Sequence, residues 1–167
     1  MSTPPSLFSS ADAAQVAATC GTYGLTEDEF RELHARCVRS KEDAYCPYSQ
    51  FRVGASVLSA VDRATFFNGA NVENASYPVG TCAERVALGK AVTDGHRKIR
   101  AIAVATDISP PASPCGMCRQ FIREFTDLKA PIIMFDKDDN YVVMRLEELL
   151  PISFGPEALP PPGSFQR

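Results

Sequence analysis

The amino-acid sequence predicts one α/β domain, a three-layer α/β/α sandwich around a mixed five-stranded sheet. Segments of strand character alternate along the chain with segments of helical character, which is the pattern of helices that cover a sheet. The run at 99–105, apolar except for Arg100, has the length of a buried strand. The residues T-E-D-E at 26–29 offer Thr26 as an N-cap and Glu29 as its capping-box partner, which marks the start of a helix. The 167 residues suffice for one domain with a sizeable core.

The first half of the chain is predicted to contain one helix and one pair of strands. Residues 1–24 are rich in Ser, Pro, Ala and Thr without a sustained period, which predicts a loosely ordered extension. In the helix that follows, apolar residues recur at helical spacing to about residue 44, and Pro47 ends it. Segments 51–58 and 64–70 are β-branched, aromatic or small, with a polar turn between them, which predicts two antiparallel strands.

The second half alternates between helices and short strands. It contains predicted helices at 82–93 and 115–125, strands at 99–105, 131–135 and 141–144, and a short helical piece at 146–150. The division of the chain that follows is an N-terminal extension at 1–24, one domain at 25–157 and a mobile, Pro-rich tail at 158–167.

The composition argues against several classes of partner. The net charge is −3 and the pI about 5.4, whereas a protein that binds polyanions usually has a positively charged surface. No stretch approaches the ~20 apolar residues of a membrane span. Residues 1–24 contain no Lys or Arg, which excludes the secretory and mitochondrial leader patterns and predicts a cytoplasmic protein. Its six cysteines are therefore expected to be core residues or metal ligands rather than disulfides.

Three of those cysteines form the informative pattern, T-C-A-E-R at 81–85 and P-C-G-M-C at 114–118. Cys115 and Cys118 are three residues apart at a predicted helix start, so their side chains share one face. Cys82 also lies at a predicted helix start, where free backbone N–H groups and the helix dipole favour a thiolate. Three thiolates describe an open zinc site, because structural zinc is normally closed by four protein ligands. Glu84, two residues after Cys82, completes a pattern that is typical of zinc deaminases.

Each part of this pattern also has a structural explanation. Thr81 and Glu84 fit a capping box, Cys82 alone is typical of a small buried residue, and a lone C-x-x-C fits structural zinc, redox chemistry or burial. Arg85, beside Glu84, is placed to donate hydrogen bonds to the sulfurs, but arginine is also a common exposed helix residue.

The sequence resembles the tetrameric cytidine deaminase family, and the similarity extends beyond the cysteines. It is carried by A-Y-C-P-Y-S-Q-F-R-V-G-A at 44–55, N-G-A-N-V-E-N-A-S-Y-P at 68–78 and L-L-P-I-S-F-G-P at 149–156. The resemblance implies the fold of that family, one zinc ion per subunit on Cys82, Cys115 and Cys118, and Glu84 as the residue that shuttles protons.

The resemblance also implies a nucleoside pocket. Asn71 and Glu73 would hold the ribose, Phe51 would pack on the pyrimidine, and Phe154 would enter a neighbouring subunit's site in a homotetramer. The residues implied to contact substrate are Phe51, Asn71, Val72, Glu73, Asn74, Ala75, Ser76, Tyr77 and Phe154. Taken without the resemblance, N-x-E fits a polar turn and the two phenylalanines fit a core.

The predicted function is zinc-dependent hydrolysis of cytidine and deoxycytidine to uridine and deoxyuridine with release of ammonia, a reaction of pyrimidine salvage. The predicted partner is a small nucleoside, with no nucleic-acid polymer and no membrane. Two alternatives stay open: deamination of another aminopyrimidine, and a non-catalytic zinc module, which requires a fourth protein ligand. A polynucleotide editor shares the zinc core but is disfavoured by the acidic balance.

Overall fold

The computed structural model describes residues 5–160 and contains a six-stranded mixed sheet. The strand order is β1-β6-β5-β4-β2-β3, and of these neighbours β4 and β5 run parallel while the other pairs are antiparallel. The strands are β1 (Phe8–Ser9), β2 (Val53–Ser59), β3 (Phe66–Ala70), β4 (Ile99–Thr106), β5 (Pro131–Phe135) and β6 (Asn140–Arg145). The α-helices are α1 (Ala13–Tyr23), α2 (Glu27–Ser40), α3 (Ala83–Thr93), α4 (Gly116–Phe125) and α5 (Leu146–Leu149).

The predicted three layers are confirmed, with one hydrophobic core on each face of the sheet. Helices α1 and α2 cover one face, where Phe30 and Leu33 pack against Phe135 and Tyr141. Helices α3 and α4 cover the other, where Leu88 and the buried residues of both helices pack on β2, β4 and β5. Strand β4 contributes to both cores, because successive side chains point to opposite faces: Ala101, Ala103 and Ala105 lie in one core, and Ile102 and Val104 lie in the other.

The sheet has six strands rather than the five predicted, because β1 adds a two-residue strand to the edge of β6. Phe8 pairs with Tyr141, and the two aromatic rings lie 5.5 Å apart, centre to centre. A strand of two residues carries no alternation that a sequence pattern could reveal. Its place is fixed by the partner strand near the other end of the chain.

The N-terminal extension, predicted to be loosely ordered, is structured from Phe8 to Tyr23. Asp12 caps α1 by accepting hydrogen bonds from two backbone amides, and Gly24 ends the helix in the left-handed conformation at a φ of 66°. The buried face of α1 consists of Val16, Thr19 and Cys20. No sequence pattern predicts this helix, because its buried face has only these three residues and none of them is large. The tail predicted at 158–167 lies mostly outside the described residues.

Two glycines let the helices approach the sheet closely on either side of β2 and β3. A Cβ on Gly54 would collide with the backbone of α2 at Cys37, and one on Gly69 would collide with the backbone at the start of α3. This contact places the beginning of α3, which carries Cys82 and Glu84, directly on the edge strand β3. None of the helices in residues 5–160 is long and apolar enough to cross a membrane.

Candidate active site

Three cysteine sulfurs meet where α3 and α4 begin. Cys82 is the N-cap of α3, Cys115 is the N-cap of α4, and Cys118 lies in the first turn of α4. The three Sγ atoms lie within 4.8 Å of one another, and those of Cys82 and Cys115 are 3.9 Å apart. Among residues 5–160, no His, Asp, Glu or further Cys joins this group. The sequence motifs 33 residues apart are therefore brought together by the packing of α3 against α4.

The sulfur cluster fits a zinc ion. Two sulfurs bound to a tetrahedral zinc at ~2.3 Å lie about 3.8 Å apart, which matches the separation of Cys82 and Cys115. Both helix N-termini point at the cluster, and their unpaired N–H groups and dipoles stabilise thiolates there. Three protein ligands leave the fourth tetrahedral position free, which is the arrangement of a catalytic site rather than a structural one.

The thiols of the cluster influence one another's ionisation. Hydrogen bonding from Cys118, helped by the neighbouring Arg85 and Cys115, lowers the pKa of Cys82 to about 5. The pKa of Cys118 is raised, because this thiol hydrogen-bonds to the Cys82 thiolate and is buried. The first thiolate therefore forms readily, and its negative charge opposes ionisation of the second thiol. A dication bound between the sulfurs removes this repulsion, because it compensates the charges of all three thiolates.

Glu84 lies in the first turn of α3 with a buried carboxyl. Burial raises the pKa of Glu84, and the nearby Cys82 thiolate adds to the effect. The alternative role for Glu84, as the capping-box partner of Thr81, is not observed: the helix begins one residue later, with Cys82 as N-cap and no side-chain cap. A buried carboxyl with a raised pKa and no capping duty is suited to accepting and returning a proton.

Arg85 is half-buried rather than a free surface residue. Its guanidinium donates a hydrogen bond to the backbone oxygen of Gly80 at 3.1 Å and lies beside the Cys82 sulfur. It thus anchors the loop before α3 and places a positive charge next to the thiolate cluster. That charge offsets part of the excess negative charge that three thiolates bring to a dication.

A cleft of about 550 Å³ opens beside the cluster. Cys82, Cys115 and Glu84 line it, together with four of the residues predicted to contact substrate: Phe51, Asn71, Val72 and Glu73. Tyr77 lines both this cleft and an adjoining cavity of about 270 Å³, which Asn74 also lines. The structure therefore brings most of the predicted pocket residues to the cysteine cluster.

Three predicted substrate residues do not line either cavity of this chain. Ala75 and Ser76 lie in the exposed loop before α3, and Phe154 projects from the C-terminal segment with 60% of its surface exposed. Phe154 is tied to α4 through its backbone oxygen, which accepts a hydrogen bond from Gln120 at 3.0 Å. It is thus an exposed aromatic side chain on a segment attached to the helix of the cysteine motif.

The cleft wall also contains residues that the sequence did not predict. Some of them are sequence neighbours of the motif residues, and that position alone could have predicted them. Those at strand ends reach the cleft only because of the register of the sheet, which the sequence does not show. The missed lining residues are Ser49, Val53, Gly80, Thr81, Val104, Thr106, Ala112 and Ser113.

The polar residues of the N-x-E motif are held by the facing segment 48–53. The Asn71 side chain accepts a hydrogen bond from the Val53 amide and donates one to the Phe51 carbonyl oxygen, each at 2.8 Å. The Glu73 carboxylate accepts hydrogen bonds from the backbone amides of Tyr48 and Ser49 and from the Ser49 hydroxyl, which lowers the pKa of Glu73. Glu73 is therefore a fixed anion at the cleft, rather than part of a mobile polar turn.

Comparison with known proteins agrees with this geometry. Residues 27–134 match the family described as the cytidine and deoxycytidylate deaminase zinc-binding region. A cytidine deaminase of Sporosarcina psychrophila is 40% identical over 131 residues, covering 78% of this chain and 95% of the relative. A probable cytidine deaminase of Dictyostelium discoideum is 37% identical over 136 residues, covering 81% and 90%.

Solved structures lead to the same family. The crystal structure of cytidine deaminase from Burkholderia pseudomallei superposes with a TM-score of 0.71 at 36% identity, covering 74% of this chain and 98% of that one. That from Mycobacterium tuberculosis gives a TM-score of 0.65 at 32% identity, covering 75% and 97%. The chain therefore belongs to the family of zinc-binding cytidine and deoxycytidylate deaminases.

Proposed function

We propose that this chain hydrolyses cytidine and deoxycytidine to uridine and deoxyuridine, releasing ammonia. One observation carries the proposal: three cysteine sulfurs converge beside a buried carboxyl, Glu84, at the wall of a nucleoside-sized cleft. The relatives named above are cytidine deaminases, and this chain covers nearly their full length.

The proposed chemistry divides between the metal and Glu84. Cys82, Cys115 and Cys118 would hold the zinc ion, which would lower the pKa of a water molecule and so supply a nucleophile near neutral pH. Glu84 accepts the proton that this water loses and donates it to the ring nitrogen beside the reacting carbon. The same carboxyl then takes the remaining proton from the oxygen added to that carbon and carries it to the amino group, which leaves as ammonia while the carbonyl forms. Its burial suits both steps, because the raised pKa brings acid and base forms closer in energy at neutral pH.

The substrate is proposed to be a nucleoside rather than a nucleotide. Glu73 is an anion at the cleft, and its carboxylate oxygens are suited to accept hydrogen bonds from ribose hydroxyls. A phosphate group bound next to Glu73 is repelled by the like charge of the carboxylate. It also loses its hydration without gaining a hydrogen-bond donor from Glu73. We therefore assign the ribose to Asn71 and Glu73, the base to Phe51, and the edge of the pocket to Val72, Asn74 and Tyr77.

A non-catalytic zinc module finds no support in the described part of the chain, because no fourth side chain closes the metal site. Deamination of a different aminopyrimidine shares the same zinc chemistry. Only the substrate separates that alternative from the proposal, so the test has to compare substrates.

The test is an assay of the purified, zinc-loaded protein with four substrates: cytidine, deoxycytidine, cytidine monophosphate and free cytosine. Loss of the cytosine absorbance band, together with ammonia release, measures turnover. We expect kcat/KM for the two nucleosides to exceed that for the monophosphate and for cytosine by at least ~100-fold. Equal turnover of the monophosphate would contradict the proposal that Glu73 excludes a phosphate. A preference for cytosine would contradict the proposal that the site binds a ribose.

We also propose that the chain assembles into homotetramers in which Phe154 of one subunit completes the site of another. What supports this is a set of exposed apolar side chains on α4 and on the C-terminal segment bound to it: Met117 and Phe121 on the helix, Ile152 and Phe154 on the segment. Exposed apolar side chains grouped in this way are typical of protein interfaces.

The assembly proposal is tested by Phe154→Ala, with Val61→Ala as a control at an exposed apolar residue in the β2–β3 turn. Truncation of an interface hot spot costs ~2 kcal/mol or more, so Phe154→Ala should weaken substrate binding and leave zinc content unchanged. Light scattering gives the mass of the active species. A fully active species of the chain's own mass, 18.1 kDa, would contradict the shared site.

We infer that the unit responsible for this activity spans residues 25–157 and works in the cytoplasm. The residues of the cysteine cluster and of both cavities all fall within those bounds. Each of the six cysteines is a free thiol, and thiolate ligands persist best where a cell keeps thiols reduced.

A further inference from the structure

We propose that Ser49 is the positioning residue of the nucleoside site, because its hydroxyl holds Glu73 and Phe51 in their places at once. The Ser49 hydroxyl donates a hydrogen bond to one carboxylate oxygen of Glu73 and accepts one from the backbone amide of Phe51 at 3.0 Å. The inference rests on the proposed function, since it concerns how the site proposed for the ribose and the base is built.

The two ends of this link serve different parts of the substrate. Glu73 is the residue proposed to bind ribose, and Phe51 the residue proposed to pack on the pyrimidine; both line the cleft. Ser49 itself lines the same cleft and the adjoining cavity. A single hydroxyl therefore connects the sugar end of the pocket to its base end, and fixes the distance between them.

The second carboxylate oxygen of Glu73 is bound from the same side. It accepts hydrogen bonds from the backbone amides of Tyr48 at 2.9 Å and Ser49 at 3.2 Å. No cationic side chain contributes to lowering the pKa of Glu73; the hydroxyl and amides of this one segment do so. The orientation of the carboxylate thus depends on Ser49 more than on any other residue.

The backbone at Gln50 keeps this arrangement compact. Gln50 has a φ of 57°, in the left-handed region, and its amide donates to the Cys46 carbonyl oxygen at 3.0 Å. This turn folds the chain back between Ser49 and Phe51, so that the Phe51 amide reaches the Ser49 hydroxyl. Asn71 then secures the following residues through its bonds to Phe51 and Val53. Ser49 is consequently held in a fixed loop and can act as a fixed donor.

The test compares Ser49→Ala, Ser49→Thr and the control Thr65→Ala in the full-length, zinc-loaded protein. Thr65 makes the same kind of bond, from its hydroxyl to the Asp62 carboxylate at 2.5 Å, but in the exposed turn between β2 and β3, away from the cleft. Steady-state kinetics with cytidine, uridine binding by calorimetry and thermal unfolding are measured for each protein.

We expect Ser49→Ala to raise KM for cytidine and the Kd for uridine about 10-fold, the effect of losing one hydrogen bond to a charged group. We expect kcat to change less than about threefold, because the hydrogen bonds of Ser49 go to Glu73 and Phe51 and none joins it to Glu84 or to the cysteine cluster. Ser49→Thr, which keeps the hydroxyl, should recover most of the affinity. Thr65→Ala should leave KM and Kd unchanged.

Two results would overturn the inference: a KM and Kd for Ser49→Ala within twofold of the wild type, or equal losses of affinity in Ser49→Ala and Thr65→Ala. Thermal unfolding shows whether Ser49→Ala is folded; should it unfold, the affinity of Ser49→Cys, which keeps a weak donor, decides between the same outcomes. Wild-type protein that does not turn over cytidine contradicts the proposed function instead, so the two failures are distinguishable.

Discussion

Gly69 of β3 lies so close to Ala83 of α3 that a Cβ added to the glycine would stand 2.5 Å from the Ala83 carbonyl oxygen. Real Cβ atoms do not approach backbone oxygens this closely, so any larger residue at 69 forces the start of α3 away from the sheet. Cys82 immediately precedes Ala83, and Glu84 follows it. The contact therefore couples a residue of the sheet edge to the geometry of the metal ligands.

Gly69→Ala is expected to destabilise the protein by ~1–3 kcal/mol, the usual cost of overpacking, and to lower zinc affinity. The matched control is Gly89→Ala, in the middle of α3, where a Cβ meets no atom within 4 Å. That substitution should stabilise the protein by up to ~1 kcal/mol, because alanine favours a helix over glycine. Urea unfolding and zinc titration measure both effects. Normal zinc affinity in Gly69→Ala would show that α3 adjusts without moving its cysteine.

Cys115→Ser should remove the tightly bound zinc, since two thiolates and a hydroxyl hold the ion far less well than three thiolates. Cys46→Ser is the control, because Cys46 is a free, half-buried thiol outside the cluster. Elemental analysis of the purified proteins should find about one zinc per chain in wild type and Cys46→Ser, and far less in Cys115→Ser. Added zinc should raise Tm only where the cluster is intact. An equal zinc content in all three proteins would place the metal elsewhere.

Glu84→Gln is expected to retain its zinc and its fold while turnover of cytidine falls at least ~100-fold, the lower range for loss of a general acid–base group. The amide has the shape of the carboxyl but cannot accept and return a proton. The control is Glu29→Gln, the other buried glutamate, which lies on α2 in the opposite layer and should keep its turnover. Turnover of Glu84→Gln within tenfold of wild type would leave the carboxyl with no chemical role.

The sequence predicted the fold well wherever neighbouring residues in the chain determine the local structure, as they do at the start of a helix. The capping box of Thr26 and Glu29 is present as predicted, with both of its hydrogen bonds. The helices expected at Cys82 and Cys115 begin with those cysteines as N-caps. In each case neighbouring residues in the chain determine the structure.

The parts that the sequence did not predict depend on contacts between distant segments. Nothing near Phe8 indicates a strand, because the strand exists only through pairing with β6. Val104 and Thr106 face the cleft because the pleat of β4 and its register with β2 bring its last residues beside Val53. The hydroxyl of Ser49 reaches Glu73 only because the turn at Gln50 folds the chain back.

Glu29 should make stability depend on pH. Its buried carboxyl is bound by Arg63 through two hydrogen bonds of 2.8 Å and by the Thr26 amide. Burial opposes ionisation, but these bonds prevail and bring the pKa of Glu29 below its usual range. Because the pKa of Glu29 is lower in the folded state, its ionised carboxylate stabilises the fold. This contribution to the free energy of unfolding is complete above the unfolded pKa of ~4.3 and disappears as the pH falls through the folded pKa.

Glu29→Gln should therefore cost about 1–2 kcal/mol at pH 7, and this difference from wild type should shrink as the pH falls below 4. Urea unfolding of both proteins across this pH range measures the difference, in which any loss of zinc in acid is common to both. A constant difference at all pH values would assign the loss to packing rather than charge.

The pairing of β1 with β6 has a consequence for how the chain folds as it is made. Helix α1, which follows β1, is bound to β6 as well: the Thr19 and Tyr141 hydroxyls lie 2.9 Å apart and are separated by 122 residues, so this N-terminal segment leaves the ribosome long before its partner strand. Such distant pairings form late. Until β1 arrives, β6 presents an open row of N–H and C=O groups, the kind of edge at which nascent chains associate wrongly. Strand β1 is thus translated early and placed late, and its arrival covers the open edge of β6.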